Sequence, residues 1–225
     1  MPKRRPVSTI REQVYQILRD EICRGDYPPG TRLQELELAE HLNVSRSPVR
    51  EVLRQLVSEG LLIEIPNKGV YVREFSLKDI DEIYELRLLL ESHCICHSEG
   101  HLSADRLEKF LAILDELETS YEKGNLEAYT AADEKLHVQI VRLADNNLIN
   151  ETYERVRSMN QQFRVLSLMS SRRLSESLDE HRMIIHALAT GDLKQADTVN
   201  QYHLELARNT VLDRLRQESA RETAE

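Results

Sequence analysis

No apolar run in this 225-residue chain approaches the roughly 18 residues needed to cross a bilayer as a helix, so no membrane span or membrane partner is expected. The start, Met1-Pro2-Lys3-Arg4-Arg5-Pro6, is basic, but an amphipathic segment follows it where a secretory signal would have an apolar core. Cysteine is scarce: Cys23, Cys94 and Cys96 suggest no disulfide framework and fit a reducing, cytoplasmic compartment. Proline does not occur after Pro66, and strand-like alternation is missing from the same stretch. The larger part of the chain thus lacks the residue that most often breaks a helix.

Charge is present in quantity but unevenly spread. The net charge is −9 overall. Residues 1–72 carry 11 Lys and Arg against 10 Asp and Glu, leaving 19 against 29 for residues 73–225. An acidic balance seems at odds with binding nucleic acid only if it is uniform. Phosphate attraction is local and screened within about 10 Å at moderate salt, so an acidic part can face away from DNA. This asymmetry predicts two domains with different partners.

The most patterned stretch runs from Leu33 to Val72. A first helix is expected over Thr9–Cys23, with Ile10, Val14, Ile17, Leu18 and Ile22 inward, closed by Gly25 and Tyr27-Pro28-Pro29-Gly30. A second is expected over Gln34–Leu42, then the turn Asn43-Val44-Ser45 and a third helix capped by Ser45 or Ser47 and ended by Gly60. Leu61–Ile65 and Val70–Val72, separated by Pro66-Asn67-Lys68-Gly69, read as a hairpin wing. On the third helix Arg46, Arg50 and Arg54 recur every four residues and form one row. Val49, Val52, Leu53, Leu56 and Val57 form the opposite, buried face. Such a row is either a solvated charged face or a major-groove reader; the wing and the basic arm Lys3, Arg4 and Arg5 favour the reader.

The set Gly30-Thr31-Arg32-Leu33, Glu37-Leu38-Ala39, Asn43 through Leu53, Gly60-Leu61-Leu62 and Lys68-Gly69-Val70-Tyr71-Val72 resembles the winged helix of GntR-family bacterial transcription regulators. The resemblance implies that Arg46 and Arg50 reach bases or phosphates. It also implies that Arg32, Ser45 and Ser47 contact phosphates, and that Gly69, with Lys68 beside it, brings the wing tip to the minor groove. Arg54 rests on spacing alone. Some members carry a base-contacting arginine where this chain has Leu36, so an operator sequence does not transfer.

After a linker at Arg73–Ser76, with Ser76 and Asp79 set as an N-cap pair, helices are expected over 77–99, 104–123, 126–145, 147–171, 174–190 and 192–218. Gly100, Gly124 and Gly191 mark helix ends. The fold class is therefore mainly α: a winged helix–turn–helix over 1–73 and an all-α bundle over 77–218. Asp133 and His137 lie four apart on one helix, sharing a face with Tyr129, Leu136 and Ile140. His181 sits among Leu178, Ile184 and Ile185, and His203 shares a face with Val199, Leu206 and Ala207. One carboxylate and three imidazoles thus point into an apolar interior, where a divalent metal or a hydrogen-bonded cluster would compensate them.

Asp133-x-x-x-His137, Glu180-His181-Arg182-x-Ile184-x-x-Ala187-Leu188, His203-Leu204 and Glu85-Leu86-Arg87-x-x-Leu90-Glu91 resemble the effector-binding FCD domain of the FadR-like branch of the same regulators. That resemblance implies one divalent metal per subunit (Zn, Ni, Mn, Fe or Co) held by Asp133, His137, His181 and His203, with coordination sites left for an effector's carboxylate. Arg87 is either a clamp for that carboxylate or a partner of Glu91 or Asp133. Arg164 is a second candidate for the same cavity. A competing cluster, His93-Cys94-x-Cys96-His97, splits its cysteines across helix faces about 200° apart and reads as structural.

The expected function is a DNA-binding transcription regulator, a repressor in this family. A homodimer would sit on a palindromic operator under control of a small organic or sugar acid. A metal sensor without organic effector, and a metalloenzyme fused to a DNA anchor, are the alternatives. The absence of a separate nucleophile or general base from the motifs makes a non-enzyme the expectation.

Overall fold

The computed structural model describes residues 9–98 and 102–222, apart from the side chains of residues 162, 218, 219, 221 and 222. Lys3, Arg4, Arg5 and Gly100 lie outside the described residues. The chain divides into two compact units after Glu74.

The first unit runs α1 (Ile10–Arg24), β1 (Arg32–Leu33), α2 (Glu35–His41), α3 (Arg46–Ser58), β2 (Leu62–Ile65) and β3 (Gly69–Val72). Thr9 starts α1 through a capping box: Glu12 N–H donates to Thr9 Oγ1 at 3.2 Å and Thr9 N–H to Glu12 Oε2 at 2.8 Å. Val14, Leu18 and Ile22 pack against Val49, Val52, Leu53 and Leu56 of α3 and against Leu61, Leu62 and Val72. Ile10 and Ile17, expected inward, are 60% and 43% exposed. At about 100° per residue, Ile17 falls about 100° to one side of Leu18, whereas burial extends to the other side, as far as Arg19.

The sheet has three antiparallel strands in the order β1-β3-β2, with Arg32 opposite Tyr71 and Ile65 opposite Gly69. The expected hairpin is β2–β3; β1 adds an edge that two residues are too short to announce by alternation. Asn67 at φ +62° and Gly69 at φ +108° turn the wing, and Gly60 at φ +83° releases the chain from α3.

The second unit contains α4 (Leu77–Cys96), α5 (Ala104–Glu122), α6 (Leu126–Val141), a 3₁₀ turn (Arg142–Ala144), α7 (Asn147–Leu168), α8 (Ser171–Thr190) and α9 (Leu193–Glu222). Ser76 and Asp79 form the expected capping box of α4. Asn125, Asn146 and Ser170 cap α6, α7 and α8, and the Ser170 cap starts α8 earlier than the pattern suggested. The expected helix over 126–145 stops at Val141 and ends in a left-handed Asp145 at φ +51°. Phe110, Leu117, Tyr129, Leu136 and Ile184 anchor one apolar cluster; Ile80, Tyr84, Val156, Phe163 and Val211 anchor another. Among the described residues, no helix is long and apolar enough to cross a membrane.

Candidate functional site

In the first unit, α3 and the wing border a groove of about 540 Å³ whose walls include Arg32, Glu35, Arg46, Arg50, Arg54 and Gly69. The arginine row is therefore presented, as the spacing predicted, on the face opposite the buried valines. Its charge is partly matched from within. Arg50 grips Glu35 with two hydrogen bonds, Nε to Oε1 at 2.8 Å and Nη2 to Oε2 at 2.9 Å, and Arg46 Nη2 donates to Glu35 Oε2 at 3.1 Å. The Arg50 bond, against partial burial and with help from Arg46, holds the Glu35 carboxyl below its usual range. Arg32 lies across the sheet against the wing, its Nε 3.4 Å from where a Cβ on Gly69 would stand. Ser45 occupies the N-cap of α3 without a side-chain cap bond, so its hydroxyl is not committed there. Ser47, Lys68 and Leu36 are exposed. The first turn of α3 carries no acidic residue, which leaves its amide dipoles suited to a phosphate.

In the second unit, α6, α8 and α9 bring Asp133, His137, His181 and His203 together. One ligand-capable atom from each lies within 4.8 Å of all the others, and all four side chains are buried. The imidazole rings are 4.6 to 5.8 Å apart, centroid to centroid. Each ring is oriented by a partner at Nδ1. His137 Nδ1–H donates to Glu91 at 2.8 Å and His203 Nδ1–H to Glu180 at 2.7 Å, while His181 Nδ1 faces the Tyr129 hydroxyl at 3.4 Å. Those partners are themselves held: Glu91 by Arg87 and Tyr153, Glu180 by both Nη atoms of Arg173, and Tyr129 by Ser177.

With Nδ1 engaged, Nε2 is the free ligand atom of each ring. The Nε2 atoms of His137 and His181 lie 3.9 and 3.2 Å from Asp133 Oδ1, in geometry that makes no hydrogen bond. Buried imidazole nitrogens aimed at a carboxylate oxygen without bonding to it fit an ion between them. Outer carboxylates on the opposite nitrogens are the usual companions of metal-bound histidine. Electrostatics agree with this donor set. Burial, opposed by Glu91 and reinforced by Arg87, keeps His137 below the usual imidazole range; burial and the neighbouring His181 do the same more strongly for His203. Burial works against ionisation of Asp133, but Arg164, His181 and His137 outweigh it and hold the carboxyl well below its usual range. Neutral His137 and His203 beside an ionised Asp133 are the protonation states a divalent cation requires of its ligands.

Arg87 and Arg164 are both buried beside this centre. Arg87 Nε donates to Glu91 Oε1 at 3.1 Å, and Arg164 Nη1 pairs with Asp133 Oδ2. Of the pairings considered for Arg87, Glu91 is the one found. Each guanidinium keeps an Nη2 without a hydrogen-bond partner. The His93–Cys96 region assembles no site: the His93 and His97 rings stack at 4.1 Å, Cys94 is buried and Cys96 exposed. Burial and the charge of Glu91 push the Cys94 thiol up to about 11, far from the thiolate a metal needs. Sequence reasoning passed over Tyr153 and Arg173, and Glu35 under the arginine row; it met Glu180 only as part of a motif, without its orienting role. Glu91 was visible only as a partner of Arg87, four residues away on one helix face.

Residues 10–72 match the model of the bacterial regulatory proteins of the gntR family, and residues 82–206 match that of the FCD domain. The nta operon transcriptional regulator of Aminobacter aminovorans is 34% identical over 72% of this chain and 76% of its own. The gluconate operon transcriptional repressor of Bacillus licheniformis is 32% identical over 78% of this chain and 74% of its own. A GntR transcriptional regulator of Rhodococcus sp. RHA1 superposes with a TM-score of 0.77 at 27% identity, over 92% of this chain and 99% of that one. An arginine-lined winged helix joined to an FCD bundle, in a chain so matched at both ends, belongs to the GntR family of DNA-binding transcriptional regulators.

Proposed function

We propose that this regulator is a repressor whose hold on its operator is set by a small organic or sugar acid, bound at a divalent metal ion in the bundle. The observation that carries this reading is the convergence of Asp133, His137, His181 and His203 within 4.8 Å, with Nδ1 atoms turned outward to Glu91, Glu180 and Tyr129. The metal would supply Lewis acidity and coordination sites for a carboxylate; Zn, Ni, Mn, Fe and Co all suit the donors. The charge tally points to an anion. Asp133, Glu91 and Glu180 balance their partners Arg164, Arg87 and Arg173, so a divalent ion adds positive charge beyond what these three pairs neutralise. The unbonded Nη2 atoms of Arg87 and Arg164 are donors of the kind that clamps a carboxylate.

The relatives whose names mention gluconate and nta operons support control by metabolites. Two copies of the chain would place two recognition helices on a palindromic operator. The segment Arg73–Ser76, which joins the two units, is the path by which a ligand that favours one state would alter DNA affinity. DNA is the macromolecular partner and no membrane takes part; nothing in this reading calls for turnover of the acid.

The test is operator binding by the dialysed and metal-reconstituted protein, followed by fluorescence anisotropy with and without a panel of organic and sugar acids, with His137→Ala alongside. An acid should change operator affinity only in the metal-loaded wild type. Dependence on metal alone, with no acid effective, would favour a metal sensor; an acid effect that survives His137→Ala unchanged would remove the metal from the reading.

A further inference from the structure

Two buried amides remain unexplained by the metal centre. Asn160 and Asn200 are 1% and 0% exposed, and neither the Nδ2 nor the Oδ1 of either has a hydrogen-bond partner. Buried amides are hydrogen-bonded in nearly all native proteins, to protein, water or ligand, so two amides with both head atoms unpartnered in one domain are candidates for ligand contact. Their positions tie them to the site. Asn160 stands one helical turn before Arg164 on α7, and Asn200 three residues before His203 on α9, so each shares a face with a residue of the centre. The centre of the buried Tyr84 ring lies 5.4 Å from the Arg87 guanidinium carbon, and Ser167 Oγ donates to the Arg164 carbonyl, which extends the polar interior along α4 and α7.

The unpartnered atoms are of two kinds. Arg87 Nη2, Arg164 Nε and Nη2, and the two Nδ2 groups are donors, which an anion satisfies. The two Oδ1 atoms are acceptors, which no carboxylate, keto or ether oxygen satisfies. A ligand that meets both sets needs an anionic group and neutral O–H donors on the same skeleton. An ammonium would also meet the acceptors, but it would have to enter beside two arginines and a metal cation.

Resting on the reading of the bundle as an acid-binding site, we propose that Asn160 and Asn200 read ligand hydroxyl groups and that the ligand is a hydroxycarboxylate. The metal, Arg87 and Arg164 take the carboxylate end. Asn160 and Asn200 take hydroxyls further along the chain, each amide donating through Nδ2 and accepting through Oδ1. A simple fatty or keto acid of equal length leaves both acceptors unpaired in the interior and is rejected for that reason.

The experiment measures Kd by calorimetry on full-length, Zn-reconstituted protein for three matched pairs: glycerate and propionate, threonate and butyrate, gluconate and hexanoate. Lactate and alanine are measured as well, as a hydroxy and amino pair of equal length. In at least one pair the hydroxy acid should bind about 10-fold or more tighter than its deoxy partner, and Asn160→Leu or Asn200→Leu should bring that ratio to near unity. Equal binding within every pair, tighter binding of alanine than lactate, or a ratio untouched by both substitutions would overturn the hydroxyl assignment and leave the acid-binding reading standing. No binding by any of the acids would sink that reading and this one together. Melting of the ligand-free variants gives a second readout. Because leucine removes unpaired amides at similar volume, Asn160→Leu and Asn200→Leu should melt at or above the wild-type temperature. Failure to fold, or a melting point several degrees lower, would mean that the amides serve the architecture and would overturn the proposal.

Discussion

Arginine–carboxylate pairs occur in both units, and they behave as opposites because of water. On the winged helix, Arg46 and Arg50 share Glu35 at the surface, with about half of each arginine side chain exposed. In the bundle, Arg87–Glu91, Arg164–Asp133 and Arg173–Glu180 are buried. An exposed pair is worth about 0–1 kcal/mol, so a DNA phosphate or base can take Arg50 from Glu35 at little cost. Stripping one partner from a buried pair costs about 3–5 kcal/mol. The buried arginines can therefore exchange partners only when an incoming charge replaces the lost one. The winged helix can give up its arginines readily, whereas the buried arginines of the bundle leave their partners only for an equivalent charge.

The sharpest way to break this comparison is to remove a bundle ligand and watch both ends. His137→Ala should lower metal affinity by more than about 100-fold, since even outer partners of a metal ligand are worth about 10–100-fold. DNA affinity without added acid should stay within a few-fold of wild type by anisotropy; an equal loss at both ends would show that the two regions are not separable. Next in size is Arg50→Ala. It should weaken operator binding about 10–100-fold at fixed salt while random-sequence DNA loses less, leaving metal affinity unchanged. Unaltered operator affinity would take Arg50 out of the interface.

Acid should separate the units more gently. His137 and His203, held low by burial, stay neutral in the folded bundle, while the same groups in the unfolded chain take up protons near pH 6.5. The unfolded state then binds more protons, so the metal-free bundle should lose stability as pH falls below about 6.5, with Asp133 adding a further loss below about pH 4. Glu35 is held low as well, but its contribution is kept until pH falls below about 4.5. Melting curves of metal-free protein between pH 8 and 5 should show the bundle weakening while the winged unit holds; the reverse order would contradict the buried-imidazole account. The smallest effect belongs to Glu35→Gln. It should raise affinity for random-sequence DNA a few-fold at low salt, an advantage that fades as salt screens the freed arginines. A salt titration by anisotropy with no difference from wild type would mean that Glu35 does not restrain the row.

Much of this was legible before any coordinates, and the reasons differ by region. The arginine row and the buried face of α3 are set by the 3.6-residue period, which a single helix displays along its own sequence. The inward direction of Asp133, His137, His181 and His203 was legible because each histidine stands among apolar neighbours one helical turn away, and Asp133 shares the face of His137. Ile10 and Ile17 misled because apolar side chains flank both sides of Leu18 and only contact with α3 selects one side. β1 was hidden because two residues carry no period. Glu35, Arg173 and the orienting role of Glu180 were missed because a charged residue on a helix looks solvated until a partner from another element covers it.

The sequence by itself determined the two-part organisation, the helical class of the larger unit, the arginine row on the outer face of α3 and the four side chains that face the bundle interior. Each of these is a local property, written in the spacing of apolar and charged residues along one segment. Only the tertiary structure decided that the four converge within one coordination distance, that each imidazole is turned by an outer partner, and that Asn160 and Asn200 are left with nothing to bond. Those facts depend on how separate helices pack, and distances across a core are set by the joint fit of side chains that no single segment contains.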